Sequence, residues 1–346
     1  MSKIIQIGKI QIGGGQPVAI QSMCNTDTRD AQSTIRQILE LEELGCDIIR
    51  VAVPDMDAAE ALREIKKSIH IPLVADIHFD YRLALASIQN GVDKIRLNPG
   101  NIKEKEYIKQ VVEACKTHHI PIRIGVNSGS VPKDILQTYQ KPCKEALLLA
   151  AKRHIDLLQS LDFDDIVVSL KSSDTKLTVE TYRYFKEIYD YPLHLGITEA
   201  GTLYQGIVKS SVGIGSLLLD GIGDTLRVSL TAAPKEEIKA AKAILKAAGH
   251  LVNEPTIISC PTCGRTKIDL IPIASKVEEA LAKIHKPIKV AVMGCVVNGP
   301  GEAREADIGI AGGDGCAVLF KKGEIIRTIQ EEDIVKELLL EMEKLS

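Results

Sequence analysis

Eight short runs of β-branched and aliphatic residues recur through the first two-thirds of the chain, and their spacing is the strongest constraint on its fold. They are Val18–Ile20, Ile48–Val53, Leu73–Ile77, Lys94–Leu97, Ile122–Val126, Ile166–Leu170, Leu193–Ile197 and Thr225–Leu230. Successive starts lie about 30 residues apart on average, the length of one strand-helix unit. Between them run amphipathic segments such as Ala31–Leu44 and Ala58–Ile69, often closed by a helix-stopping glycine, as at Gly45 and Gly91. Eight such units in about 250 residues predict an α/β fold of the TIM (β/α)8 barrel type. A doubly wound sheet is the competing architecture, but no Gly-x-Gly-x-x-Gly follows the first strand to favour it.

The chain has 346 residues, long for one compact domain, and 45% of them are hydrophobic while only 3% are aromatic. Packing must therefore rest on Ile, Leu, Val and Ala, as in parallel sheets covered on both faces. A formal net charge of −3 supplies no basic field for nucleic acid. No apolar run reaches membrane-spanning length, and Met1-Ser-Lys-Ile-Ile-Gln lacks the apolar region of a signal peptide, so a cytoplasmic location is expected. In that reducing compartment the eight cysteines are expected to be free thiols or metal ligands rather than disulfides.

Gly249–Pro255 has linker character after the helical stretch Lys235–Ala248, which places a boundary near residue 250: a barrel over 1–250 and a second domain over 251–346. The second domain reads as small and α+β: a strand at Thr256–Ser259, a helix at Ile268–Ile284, four strands from Ile288 to Thr328, and a helix from Glu331 to Lys344. Three cysteines stand in its loops, Cys260 and Cys263 in Cys-Pro-Thr-Cys-Gly-Arg265 and Cys295 in Met293-Gly-Cys-Val-Val-Asn-Gly-Pro-Gly-Glu302. A Cys-x-x-Cys turn faces two sulfurs to one centre. A zinc ribbon would want a second such pair or histidines at finger spacing. A redox dithiol would want a thioredoxin-like surround. The spacing favours an iron-sulfur cluster and leaves zinc, or no metal, open. For a fourth ligand it offers Cys316, which leads into an apolar strand and also reads as a small packing residue, or Glu302, an oxygen donor weak enough to be replaced. Cys24, Cys46, Cys115 and Cys143 are scattered through the barrel and read as packing residues.

In a TIM barrel the C-terminal strand ends carry the chemistry, and polar residues crowd those ends here. Arg50 lies in the second strand, Asp76 and His78 end the third, Arg96 and Asn98 the fourth, and Arg123 and Asn127 lie in and after the fifth. Ser169 and Lys171 belong to the sixth, Thr198 and Glu199 to the end of the seventh, and Arg227 and Ser229 to the eighth. One arginine at a strand end is ordinarily an ion-pair partner. Four arginines and a lysine exceed what Asp76 and Glu199 can balance, so the mouth calls for an anion, and two phosphates suit that many cations better than one. Glu199 reads either as an ion-pair partner of Lys171 or Arg227 or as a general acid-base beside the anion.

The segments Cys260–Arg265, Met293–Glu302, Arg96-Leu-Asn-Pro-Gly100, Arg123-Ile-Gly-Val-Asn-Ser-Gly129 and Gly196-Ile-Thr-Glu-Ala-Gly201 together resemble the 4-hydroxy-3-methylbut-2-enyl diphosphate synthase family of the methylerythritol phosphate route to isoprenoids, in its two-domain bacterial form. The resemblance spans essentially the whole chain. It implies an oxidoreductase with a 4Fe-4S cluster on Cys260, Cys263, Cys295 and Glu302. It implies a substrate, 2-C-methyl-D-erythritol 2,4-cyclodiphosphate, bound by residues including Arg50, Arg96, Arg123, Asn127, Lys171, Arg227 and Ser229. It also implies electrons from reduced flavodoxin or ferredoxin, and a head-to-tail homodimer in which the cluster domain of one chain caps the barrel of the other. Two other readings compete: a phosphate-binding barrel enzyme with a structural zinc ribbon, and a non-catalytic iron-sulfur carrier or sensor, which has no use for the cations.

Overall fold

The computed structural model describes residues 1–97, 102, 104–282, 284, 286–296 and 304–345. The chain divides into two units, Met1–His250 and Leu251–Ser346. No helix among the described residues is long and apolar enough to cross a membrane.

The first unit opens with a hairpin, β1 (Ile5–Ile7) and β2 (Ile10–Ile12). The barrel strands follow as β3 (Ala19–Met23), β4 (Ile48–Ala52), β5 (Leu73–Ile77), β6 (Lys94–Leu97), β7 (Ile122–Asn127), β8 (Ile166–Lys171), β9 (His194–Leu195) and β10 (Thr225–Leu226). Helices alternate with them: α1 (Ala31–Glu43), α2 (Met56–Ser68), α3 (Tyr81–Gln89), α4 (Lys105–His118), the paired α5 (Lys133–Tyr139) and α6 (Lys144–Gln159), α7 (Thr175–Ile188), α8 (Leu203–Leu219) and α9 (Pro234–Ala247). Among the described residues the eight strands run in the order β8-β7-β6-β5-β4-β3-β10-β9, all parallel where paired, and a parallel bridge between Val168 and Leu193 joins the two ends. That closure rules out the doubly wound sheet.

The local chemistry explains the alternation. All five residues of β5 are buried, as expected of a strand with helices outside and a packed lumen inside. Asp30, Asp55, Asp80 and Asp174 each cap the next helix by accepting a backbone N–H bond, which fixes where the loop at the mouth ends. Gly45 and Gly91 follow α1 and α3 at φ of +92° and +89°, the left-handed turn that glycine makes cheaply. The strand spacing did not reveal the β1-β2 hairpin. Its Ile5, Ile7 and Ile12 pack against Ala19, Ile48, Val74 and Val167 and so cover the N-terminal end of the barrel.

The second unit is one mixed sheet, β11 (Thr256–Ser259), β12 (Lys289–Met293), β13 (Ile308–Gly313), β14 (Cys316–Lys321) and β15 (Glu324–Gln330), paired in that order among the described residues. The first three strands are parallel and the last three antiparallel. Helices α10 (Leu270–Leu281) and α11 (Ile334–Glu343) bury one face of it, with Val277, Leu338 and Met342 against Val290, Val292, Ile308 and Ile310. Glu331–Asp333, expected to open the last helix, form a 3-10 turn before α11.

Candidate functional site: a cationic barrel mouth and a cysteine loop

Strand register gathers the polar side chains at the C-terminal end of the barrel. Met23 pairs with Arg50, Asp76 with Arg96, Arg96 with Arg123, and Asn127 with Lys171. The polar side chains line a cavity of about 200 Å³ whose walls include Arg50, Asp76, His78, Arg96, Arg123, Asn127, Lys171, Thr198, Arg227 and Ser229. Ser169 and Gly125 complete the wall. Asn98 lies outside the described residues. Thr198, Glu199, Arg227 and Ser229 stand just past their strands rather than within them, because β9 and β10 pair over only two residues each. Glu199 is exposed at φ +51°, a left-handed conformation uncommon for a residue with a side chain, and is not part of the cavity wall.

The electrostatics of the mouth are lopsided. Arg96 Nη1 donates to Asp76 Oδ1 at 3.2 Å, Arg50 Nε lies 3.7 Å from Asp76 Oδ2, and His78 Nε2 lies 3.7 Å from the same oxygen. Burial alone would raise the Asp76 pKa. The His78 contact and the fields of Arg50, Arg96 and Arg123 outweigh it and hold the carboxyl well below the usual range. Arg123 is 2% exposed, and neither its Nε nor its Nη1 meets an acceptor among the described residues. Burial, then the neighbouring Arg50 and Arg96, pushes its pKa well down. Lys171 is likewise pushed well down, by burial first and by the four arginines after it. Among the described residues, four arginines and a lysine line the cavity against one carboxylate. A buried guanidinium edge without an acceptor among the described residues suits an anion's oxygens.

The sequence reading missed the partner of Arg227. Glu237, buried on α9, accepts from Arg227 Nε and Nη2, each at 3.2 Å, from the Leu230 N–H at 3.1 Å and from Ser22 Oγ at 3.1 Å. A glutamate in the first turn of a helix reads as a dipole-matching surface charge, so its sequence context carried no sign of this. Two glycines were missed as well. A Cβ on Gly196 would stand 2.6 Å from Lys171 Nζ, and one on Gly125 would stand 3.3 Å from Arg96 Nε. Their missing side chains let the cations close over the cavity.

In the second unit, Cys260 follows β11 and Cys295 follows β12, so the parallel pairing of these strands brings both loops to one end of the sheet. Gly294 ties them together: its N–H donates to Cys260 Sγ at 3.1 Å, and its carbonyl accepts from the Lys267 N–H at 2.9 Å. The Cys263 N–H donates to Thr266 Oγ1 at 3.1 Å, and hydrogen bonds from Arg265, backbone first, lower the exposed Cys263 thiol's pKa. Thiols that receive N–H bonds and ionise readily suit a metal or iron-sulfur centre. Among the described residues no three Cys, His, Asp or Glu side chains are drawn together as an ion's ligand set, and Glu302 lies outside the described residues. Cys316 is half-buried at the start of β14. Cys24, Cys46 and Cys115 are buried, whereas Cys143 is half-buried at the N-cap of α6 rather than in the core.

Fold and site define a (β/α)8-barrel protein with a cationic mouth, followed by a separate cysteine-bearing α+β domain. The chain belongs to the GcpE family: residues 2–242 match the GcpE TIM-barrel domain and residues 256–344 the GcpE protein C-terminal domain. A Clostridium acetobutylicum protein named 4-hydroxy-3-methylbut-2-en-1-yl diphosphate synthase (flavodoxin) is 57% identical over 341 residues, covering 99% of this chain and 98% of that one. A Clostridium perfringens protein of the same name is 60% identical over 335 residues, covering 97% and 96%. Among solved structures, type I 3-dehydroquinate dehydratase from Clostridium difficile has a similar fold, with a TM-score of 0.53 at 18% identity over 72% of this chain and 99% of that one.

Proposed function

We propose that the chain catalyses the flavodoxin-dependent synthesis of 4-hydroxy-3-methylbut-2-en-1-yl diphosphate, by two-electron reductive ring opening of 2-C-methyl-D-erythritol 2,4-cyclodiphosphate. The observation that carries this reading is the buried edge of Arg123, without a partner among the described residues, within a ring of Arg50, Arg96, Lys171 and Arg227. The relatives' shared name supports both the diphosphate product and flavodoxin as electron donor.

The chain's own residues account for the binding steps. Arg50, Arg96, Arg123, Lys171 and Arg227 hold the two phosphates, and Asn127, Ser229, Thr198, Asp76 and His78 orient them and one another. When the C2–O bond breaks, its electron pair stays on the phosphate oxygen, and the same cations stabilise the added charge. The hydroxyl on C3 leaves as water after taking a proton, and the two electrons complete a C2=C3 double bond, giving the linear allylic diphosphate. Glu199 is the carboxyl we assign to that proton, consistent with its strained placement beside the mouth. Cys260, Cys263 and Cys295, with Glu302 as a replaceable oxygen donor, would hold a 4Fe-4S cluster. When bound, such a cluster supplies electrons one at a time. A head-to-tail homodimer in which each barrel is served by its partner's cysteine domain belongs to the same reading.

The test is anaerobic purification of the full chain with visible absorption, iron and sulfide analysis, and reduction of the cyclic diphosphate. A brown protein with about four irons per chain that consumes the substrate is expected, with Cys260→Ser losing iron. A colourless zinc protein that ignores the substrate would overturn the proposal and favour the zinc-ribbon reading.

A further inference from the structure

The arginines of the mouth do not all rest on carboxylates. Met23, half-buried at the end of β3, places its sulfur between two of them. Its Sδ accepts from Arg50 Nη2 at 3.0 Å and Nε at 3.2 Å, and Arg227 Nη1 approaches it to 3.6 Å. Arg227 turns its Nε and Nη2 to Glu237, and Arg50 Nε, which also faces the sulfur, lies 3.7 Å from Asp76 Oδ2. A continuous arc results, Glu237, Arg227, Met23, Arg50, Asp76, Arg96, with two carboxylates as anchors and a thioether at the centre.

We infer that Met23 is a positioning residue for the diphosphate: a neutral spacer that holds Arg50 and Arg227 aimed at one anion and yields their N–H groups to it. The inference rests on the reading above that the mouth takes a diphosphate. The choice of a thioether follows from what the alternatives would do. A carboxylate at position 23 would satisfy both guanidinium groups as an internal anion and compete with the ligand. A hydrocarbon would leave their inner N–H groups unsupported and the two side chains free to diverge. A thioether is a weak, polarisable acceptor, enough to orient a guanidinium and weaker than an anionic phosphate oxygen, which a guanidinium can engage through two parallel N–H bonds. Exchanging sulfur for phosphate oxygen is therefore downhill, and the arginines are already in place when it happens.

Three variants of the full-length, anaerobically purified protein separate the possibilities, with inorganic diphosphate and orthophosphate as calorimetric probes. Met23→Gln keeps a neutral acceptor of similar length and should bind diphosphate within about threefold of wild type. Met23→Leu should bind it about tenfold more weakly and lose part of the preference for diphosphate over orthophosphate, with a melting temperature within about 3 °C of wild type. Met23→Glu should lose diphosphate binding by about a hundredfold or more. A purely structural role would not produce that order at matched melting temperatures. Unchanged or tighter binding by Met23→Leu, or wild-type binding by Met23→Glu, overturns the inference and leaves the diphosphate reading standing. Failure of the wild-type protein to bind diphosphate overturns both.

Discussion

Adding one methyl group at Gly196 tests whether the mouth's cations are held as closely as the structure places them. An alanine Cβ there would lie 2.6 Å from Lys171 Nζ and 2.8 Å from the Arg227 carbonyl oxygen. Relief to ordinary contact near 3.4 Å requires the ammonium to retreat by about 0.8 Å and the carbonyl by about 0.6 Å. The ammonium ends a flexible side chain and can move, but the carbonyl belongs to the backbone that positions the Arg227 guanidinium on Glu237. One methyl therefore displaces two cations. Gly196 is not in the left-handed region, so the backbone itself accepts alanine. Overpacking of this kind costs about 1–3 kcal/mol, and the smaller entropy of the unfolded alanine chain offsets about 0.4–1 kcal/mol of it. The net, up to about 2.6 kcal/mol, lowers the melting temperature by up to about 10 °C for a domain of this size. Displacement of binding groups by nearly 1 Å weakens diphosphate binding or turnover by up to about a hundredfold. Differential scanning calorimetry with and without inorganic diphosphate reads both effects. Gly215→Ala, inside α8 with nothing within 4 Å of the added carbon, is the control and should stabilise by up to about 1 kcal/mol. Wild-type affinity and melting temperature in Gly196→Ala would refute the close approach.

Two further predictions concern protonation. Burial, then the fields of Arg123, Arg50, Arg227 and Arg96, depress Lys171 well below the ordinary lysine value, and a bound polyanion raises it again. Diphosphate binding should therefore take up a proton between the free and bound pKa values and weaken as pH rises through the bound one. Calorimetry in two buffers of different ionisation enthalpy should show uptake that Lys171→Met lacks; equal uptake in both proteins would exclude the lysine. Lys94 is 0% exposed, with its Nζ donating to Gln21 Oε1 at 3.1 Å, and its pKa too is pushed well down, by burial first. Between the folded pKa and the ordinary one, the unfolded chain binds more of this proton than the folded chain does. Stability should thus rise by up to about 1.4 kcal/mol per pH unit between the folded pKa and the ordinary value near 10.4. Urea denaturation from pH 7 to 9 should give Lys94→Met a slope shallower by that amount, and parallel curves would show that Lys94 is charged when folded.

The sequence by itself determined eight strand-helix units, because the β-branched runs recur at that spacing, and it favoured a barrel; the closure that excluded a doubly wound sheet came from the strand order. It also marked the basic residues of the mouth, since strand ends with polar side chains can only face the opening, and it marked Cys260, Cys263 and Cys295 by their spacing. Tertiary structure alone decided how those groups are held. The hairpin of Ile5, Ile7 and Ile12 falls outside the strand-helix spacing, and its role in covering the N-terminal end of the barrel came only from the packing. Glu237 is 215 positions from Ser22 and Met23 is 204 from Arg227, yet each pair meets where the closing barrel sets β3 beside β10. Periodicity records which face of an element is buried. It carries no record of which side chain from another element arrives there, because that depends on strand order and register, and so the anchors of Arg227 and the spacer between the arginines became visible only once the barrel had closed.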